Sequence, residues 1–125
     1  MAFKIEIPVI EIGVSFSHAV TWSLKDELGN VTPVDLFTWS GRMQFKKKIT
    51  DAEPYLDLGT GNGGLTFIGN LIQMEAGASD TKVLAPVEDG VFDLILWPTA
   101  DLEAAVRLAY GSFSAVRITS EVPFP

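Results

Sequence analysis

Asp57, Gly59, Gly61 and Gly63 form the one stretch of this chain whose residue types and spacing suggest a cofactor loop. In Leu56-Asp57-Leu58-Gly59-Thr60-Gly61-Asn62-Gly63-Gly64 an apolar run carrying an acid leads into a Gly-x-Gly-x-Gly segment. Loops of that kind let backbone N–H groups close on a phosphate or sugar. The same residues have a second reading. Asn62-Gly63 is a favoured pair for a two-residue β-hairpin turn, because both residues tolerate positive φ.

The two readings demand different surroundings. The loop resembles the first motif of S-adenosylmethionine-dependent methyltransferases. That motif needs a parallel sheet, a helix opened by the loop, and a second strand whose terminal acid holds the ribose roughly 20 residues on. Leu65 to Glu75 is instead rich in β-formers, contains Gly69-Asn70, and leaves no room for a helix plus a strand before the acid. The hairpin reading, with Asn62, Gly63 and Gly64 as a structural turn, accounts for these residues without strain, and no cofactor is expected.

The other chemistry-bearing residues are scattered. His18, the single histidine, sits in an alternating segment and needs partners from elsewhere to bind metal or act in a dyad. The acid pairs Asp51/Glu53, Glu88/Asp89 and Asp101/Glu103 each lie beside Gly, Pro or Thr, as solvated turns do, and none has the ligand density of a calcium loop. Lys46-Lys47-Lys48 is the sole basic run and reads as a solvated strand end that discourages edge-to-edge aggregation. With no cysteine there is no thiolate nucleophile and no disulfide framework. No catalytic residue and no metal site is expected.

The elements that position these residues follow from a period of two. Val14, Phe16, His18, Val20 and Trp22 alternate with Ser15, Ser17, Ala19, Thr21 and Ser23, the pattern of a half-buried strand. Lys25 to Asn30 is a polar turn cluster, and Val34 to Trp39 resumes an extended pattern after Pro33. Gly41 to Lys48 puts Met43, Phe45 and Lys47 on one face and Arg42, Gln44, Lys46 and Lys48 on the other. Tyr55 to Gly59, Leu65 to Gly69 and Leu71 to Ala76 are further short strands. A helical turn is expected at Ser79 to Leu84, capped by Ser79 and ended by Pro86. Val91 to Trp97 and Ala105 to Thr119 are the strongest strands, the second with a bulge or kink at Gly111.

About eight strands with one short helical turn predict an all-β, antiparallel sandwich or small barrel. A chain of 125 residues, 47% hydrophobic, supports one core. Residues 1–13 are expected to form an N-terminal arm or edge strand and residues 14–125 a single domain. Net charge is -7, which argues against nucleic acid as a partner. No apolar run approaches the roughly 18 residues of a membrane helix, and no signal peptide is evident, so the chain reads as soluble and made in a cytoplasm.

Three blocks taken together resemble a family of small bacteriophage virion proteins associated with tail, collar, baseplate or fibre genes. They are Val34-Asp35-Leu36 leading to Trp39-Ser40-Gly41-Arg42-Met43-Gln44-Phe45-Lys46; Leu56-Asp57-Leu58 with Asn62-Gly63-Gly64-Leu65; and Gly90-Val91-Phe92-Asp93-Leu94-Ile95-Leu96 with Val106-Arg107-Leu108-Ala109-Tyr110-Gly111. The resemblance spans roughly Val14 to Val122. The chain departs from the family pattern at Phe92, Ile95, the Trp97 to Ala104 connection and Ser120-Glu121-Val122. The resemblance implies an immunoglobulin-like β-sandwich used in assembly, with no catalytic residues, and a structural Asp93 facing Arg107 across the final hairpin. It also implies location in the virion, with other virion proteins and copies of the chain itself as partners.

Phe3, Ile5, Ile7, Trp39, Trp97 and Tyr110 are the candidate interface residues, since exposed aromatic and apolar side chains anchor contacts. Tail, collar or baseplate is the first expectation and capsid decoration the second. A small-ligand protein using the glycine loop, or a glycan-binding sandwich using Trp97 or Tyr110 as a stacking platform, is the rival class.

Overall fold

The computed structural model describes residues 2–118, so Thr119 and Ser120-Glu121-Val122 lie outside the described residues. Their chain is all-β. In order it forms β1 (Phe3–Lys4), β2 (Ile10–Ile12), β3 (Phe16–Thr21), β4 (Ser23–Lys25), β5 (Val31–Pro33), β6 (Trp39–Lys46), β7 (Leu56–Gly59), β8 (Leu65–Ile68) and β9 (Leu71–Ala76). A single-turn helix, α1 (Ala78–Thr81), follows, and then β10 (Val87–Pro98) and β11 (Val106–Arg117). Leu102–Ala104 between the last two strands is one 3-10 turn.

Alternation of residue type builds the layers. On β6, Met43 and Phe45 are fully buried while Arg42 faces solvent. On β10, Phe92, Leu94 and Leu96 point inward at the same period. These strands belong to a six-stranded sheet ordered β1-β11-β10-β6-β7, with β2 also paired to β11. A three-stranded sheet, β3-β9-β8, supplies Phe16, Leu65, Ile72 and Met74 to the same core. Phe16 meets Phe45 edge-on at 6.3 Å between ring centroids, and Phe45 meets Phe113 edge-on at 5.1 Å, which is how aromatic quadrupoles prefer to pack. The hairpin β4-β5 forms a third, two-stranded sheet, and all of its residues are exposed.

The finer expectations change. The described residues form eleven strands instead of about eight, and the pairing is not wholly antiparallel, because β1 and β2 run parallel to β11. Residues 1–13 therefore hold edge strands of the chain's own large sheet from Phe3 onward, with Phe3 opposite Ala109 and Ile10 opposite Ala115. The segment expected to be extended from Val34 to Trp39 is not a strand until Trp39, where β6 begins. Val34 and Leu36 give their N–H groups to Trp22 and Gly69 carbonyls, which buries Leu36 and turns the chain into β6.

Ser79 does not cap α1. The helix starts after Gly77 with no side-chain cap, and it ends at Thr81, ahead of Pro86. The bulge lies at Leu108 and not at Gly111. Leu94 pairs with Ala109 and Ile95 with Arg107, so Leu108 is the extra residue, and consecutive Leu108 and Ala109 are both buried. Gly111 stays in register opposite Phe92. A Cβ there would sit 2.5 Å from the Ile5 carbonyl oxygen and 2.7 Å from Phe92 Cζ, so glycine is required by close approach.

Candidate functional site

The glycine segment has neither the loop-to-helix geometry of the methyltransferase motif nor that of a hairpin. β7 pairs antiparallel with β6 in the large sheet, whereas β8 pairs with β9 in the small one, so residues 60–64 carry the chain from one sheet to the other. The loop opens a strand, not a helix, which removes the methyltransferase geometry. The two-residue hairpin is the next one along. Ile68 pairs with Leu71, and Gly69 supplies a positive φ of 61° at the first loop position, as a type II′ turn requires.

Asn62 holds the crossover by its side chain instead. Its Oδ1 accepts from the N–H groups of Gly59 and Gly64, each at 2.9 Å, and its Nδ2 donates to the Asp57 carbonyl at 3.0 Å. Gly63 alone takes positive φ (81°), and Gly64 lies so close to Leu58 that a Cβ would meet its Cα at 2.8 Å. Asn62, Gly63 and Gly64 thus form a turn whose task is to join two layers.

Beside this turn the outer face of the large sheet carries an open groove of about 410 Å³, lined by Ser40, Arg42, Asp57, Thr60, Asn62 and Trp97 among others. Arg42 on β6 grips Asp57 on β7 in a two-pronged ion pair, Nε to Oδ1 at 3.0 Å and Nη2 to Oδ2 at 2.6 Å. The hydrogen bond from Arg42, reinforced by its charge, holds the Asp57 carboxyl below the usual carboxylate range, and the same bond raises Arg42. Thr60 Oγ1 accepts from the Gly41 N–H at 3.3 Å, and Ser40 shares a hydrogen bond with Thr99 at 2.8 Å. The arrangement offers an indole among fixed donors and acceptors, a lining suited to a hydroxyl-rich ligand.

The remaining candidate residues fall in different places. Tyr110 lies under the guanidinium of Arg107, 4.6 Å from ring centroid, and Arg107 Nε reaches Asp93 Oδ2 at 3.7 Å across the β10-β11 hairpin. Phe3 is exposed on β1, whereas Ile5 and Ile7 pack partly buried against the chain's own core. Trp39 is also partly buried and meets Trp22 edge-on at 5.3 Å. The structure brings Trp97 to the groove and leaves Trp39, Tyr110 and the N-terminal residues apart from it. His18 is half-buried opposite Met74. Among the described residues no group of three or more His, Asp or Glu side chains is placed to hold a metal ion.

A second exposed surface escaped the sequence reading. The β4-β5 hairpin is stiffened by Asp26, whose Oδ1 accepts from the N–H groups of Leu28 and Asn30, each at 2.9 Å, while Oδ2 accepts from Asn30 Nδ2 at 3.1 Å. The Asn30 backbone bond is the main reason that the Asp26 carboxyl is held low. The stiff tip presents Leu28, 88% exposed, with Leu24 and Val31 exposed on the strands behind it, and Phe37 is 90% exposed on the connection that follows β5. A large apolar residue inside an otherwise polar turn, as at Leu28, is the signal that marks such a tip. A scan of the chain against protein-family models gives no match, and no curated protein sequence matches it significantly.

Proposed function

We propose that the chain is a non-enzymatic structural protein of a bacteriophage virion, folded as an immunoglobulin-like sandwich and working through contacts with other virion proteins and with copies of itself. The fold part of the proposal is supported by strand order. Immunoglobulin-like domains join their second, fifth and fourth strands in one sheet and the last, sixth and third in the other, and variable-type domains extend the latter sheet. The orders β3-β9-β8 and β11-β10-β6-β7 follow that scheme once β1 and β2 are taken as the first strand and the projecting β4-β5 hairpin as an insertion after β3.

The observation that carries the functional part is the exposed Leu28 at the tip of a hairpin stiffened by Asp26, together with exposed Phe37. These side chains contribute nothing to the chain's own core, and exposing large apolar groups on a fixed scaffold favours burial against a partner. Many copies of a weak apolar contact multiply in a symmetric assembly. Tail, collar or baseplate is the proposed location, with capsid decoration as the alternative. Mass spectrometry of purified heads and purified tails tests it, and absence from both fractions refutes it.

A second reading has its own observation. The Trp97 groove, with Arg42, Asp57, Thr60 and Asn62 around it, suits a glycan. Binding on a glycan array that disappears in Trp97→Ala would favour that reading.

A further inference from the structure

Edge strands present unpaired backbone groups, and proteins blunt them with charge, proline or brevity. β1 has two residues and carries Lys4; β7 has four, one of them Asp57; β8 has four. β3 is different. It runs for six residues, Phe-Ser-His-Ala-Val-Thr, with no Lys, Arg, Asp, Glu or Pro, and among the described residues it pairs on one side only, with β9.

The parity of that pairing identifies the free groups. Trp22 gives its N–H to the Asn70 carbonyl in the register that sets Val20 opposite Ile72 and His18 opposite Met74. In an antiparallel ladder alternate residues exchange both bonds with the neighbour, so Val20, His18 and Phe16 face β9 while the N–H and C=O groups of Ser17, Ala19 and Thr21 face outward. The side chains of those three residues are small, uncharged and exposed. Next to this edge, on its core-facing side, an apolar groove of about 610 Å³ opens between the two sheets, lined by Phe3, Ile5, Val20, Trp22, Leu71 and Leu108 among others.

We infer that the open edge of β3 is a self-association site, where β3 of a second copy adds antiparallel and joins two three-stranded sheets into one. The inference rests on the assembly reading above and names one of its contacts. Charge selects the occupant. In a chain of net charge -7, β3 is an edge at which two copies can meet without placing carboxylates opposite one another. Parity requires outward residues to face outward residues, and the register that pairs all three within β3 is centred on Ala19. Ala19 then faces Ala19 across a two-fold axis, with Ser17 facing Thr21 and His18 facing Val20, so the apolar groove of each copy is covered by the inward side of the other strand.

Sedimentation equilibrium of the full chain, from micromolar to about 1 mM, tests the site. The expected result is a monomer–dimer equilibrium. Ala19→Pro, which deletes an outward N–H where an edge strand tolerates proline, should raise the dimer dissociation constant at least ~10-fold. Thr21→Lys, a natural edge-blunting substitution, should do the same and decides the matter if the proline variant does not fold. In hydrogen exchange, the Ser17, Ala19 and Thr21 amides should gain protection as concentration rises. A parent chain that stays monomeric throughout, or a dimer indifferent to both substitutions, overturns the inference. Either result leaves the virion reading intact if the protein is still found in particles. A dimer formed through β3 by a protein absent from particles would do the reverse.

Discussion

Replacing Asn62 by alanine removes three hydrogen bonds that tie the crossover together: those from the Gly59 and Gly64 N–H groups and the one to the Asp57 carbonyl. Each is worth ~0.5–1.5 kcal/mol net, and because water can replace a partner at this exposed turn the low end applies, giving a loss of about 1–2 kcal/mol. In a domain of this size that corresponds to a fall in melting temperature of roughly 3–8 °C. Two further substitutions make the test specific. Asn62→Gly should cost as much as alanine, because Asn62 does not occupy a positive φ and glycine recovers nothing. In a type I′ hairpin, by contrast, glycine would be accommodated at that position. Asn62→Asp keeps the acceptor for both N–H groups and should be the mildest of the three. Urea unfolding gives the differences directly from the midpoints at constant m. An Asn62→Gly variant within ~0.3 kcal/mol of the parent would refute the side-chain latch.

Thr81 is fully buried; its Oγ1 donates to the Val14 carbonyl at 2.8 Å and accepts from the Gly13 N–H at 3.1 Å. Thr81→Val should therefore cost ~1–3 kcal/mol by orphaning these groups, with Thr81→Ser retaining most of the stability, as denaturant melts would show. Gly111→Ala drives a methyl group against the Ile5 carbonyl and Phe92, so a loss of ~1–3 kcal/mol is expected. Hydrogen exchange at the Ile5 amide, which bonds the Tyr110 carbonyl, should accelerate ahead of the rest. Asp57 has a folded pKa below its unfolded value of about 3.9, so its contribution is present above that pH and is lost as pH falls through the folded value. The pair is substantially solvent-exposed and screened, so Asp57→Asn should remove under ~1 kcal/mol at neutral pH and flatten the acid limb of stability below about pH 4.

The strands that bury one face were legible in the sequence because alternation is a local property. β3, β6, β8, β9 and the core of β10 lie where the pattern of Phe16 to Trp22, Met43 to Phe45 and Phe92 to Leu96 puts them. Pairing is not local, and there the reading went astray. Asn62-Gly63 has hairpin chemistry, yet Leu58 seeks Met43 across one sheet and Leu65 seeks Met74 across the other, so tertiary burial overrides the turn preference. The Leu108 bulge was likewise hidden, since it shows only when β11 is laid against β10, and Gly111, expected to mark the bulge or kink, stays in register and is needed for a close approach instead. Of the candidate residues, Trp97 could be found as an aromatic near a turn. Leu28 and Phe37 were hidden because a polar cluster and an apolar run were each read as units.

The proposed role in an assembly rests on Leu28 and Phe37, and quantitative mass spectrometry of particles carrying Leu28→Asp with Phe37→Asp tests it most directly. Both side chains are exposed, so the double variant should fold within ~0.5 kcal/mol per site of the parent. The account predicts that the parent protein is recovered at fixed stoichiometry from purified tails, or from heads if it decorates the capsid, and that the folded double variant is lost from them. Full incorporation of the variant, or absence of the parent from every particle fraction, would contradict it.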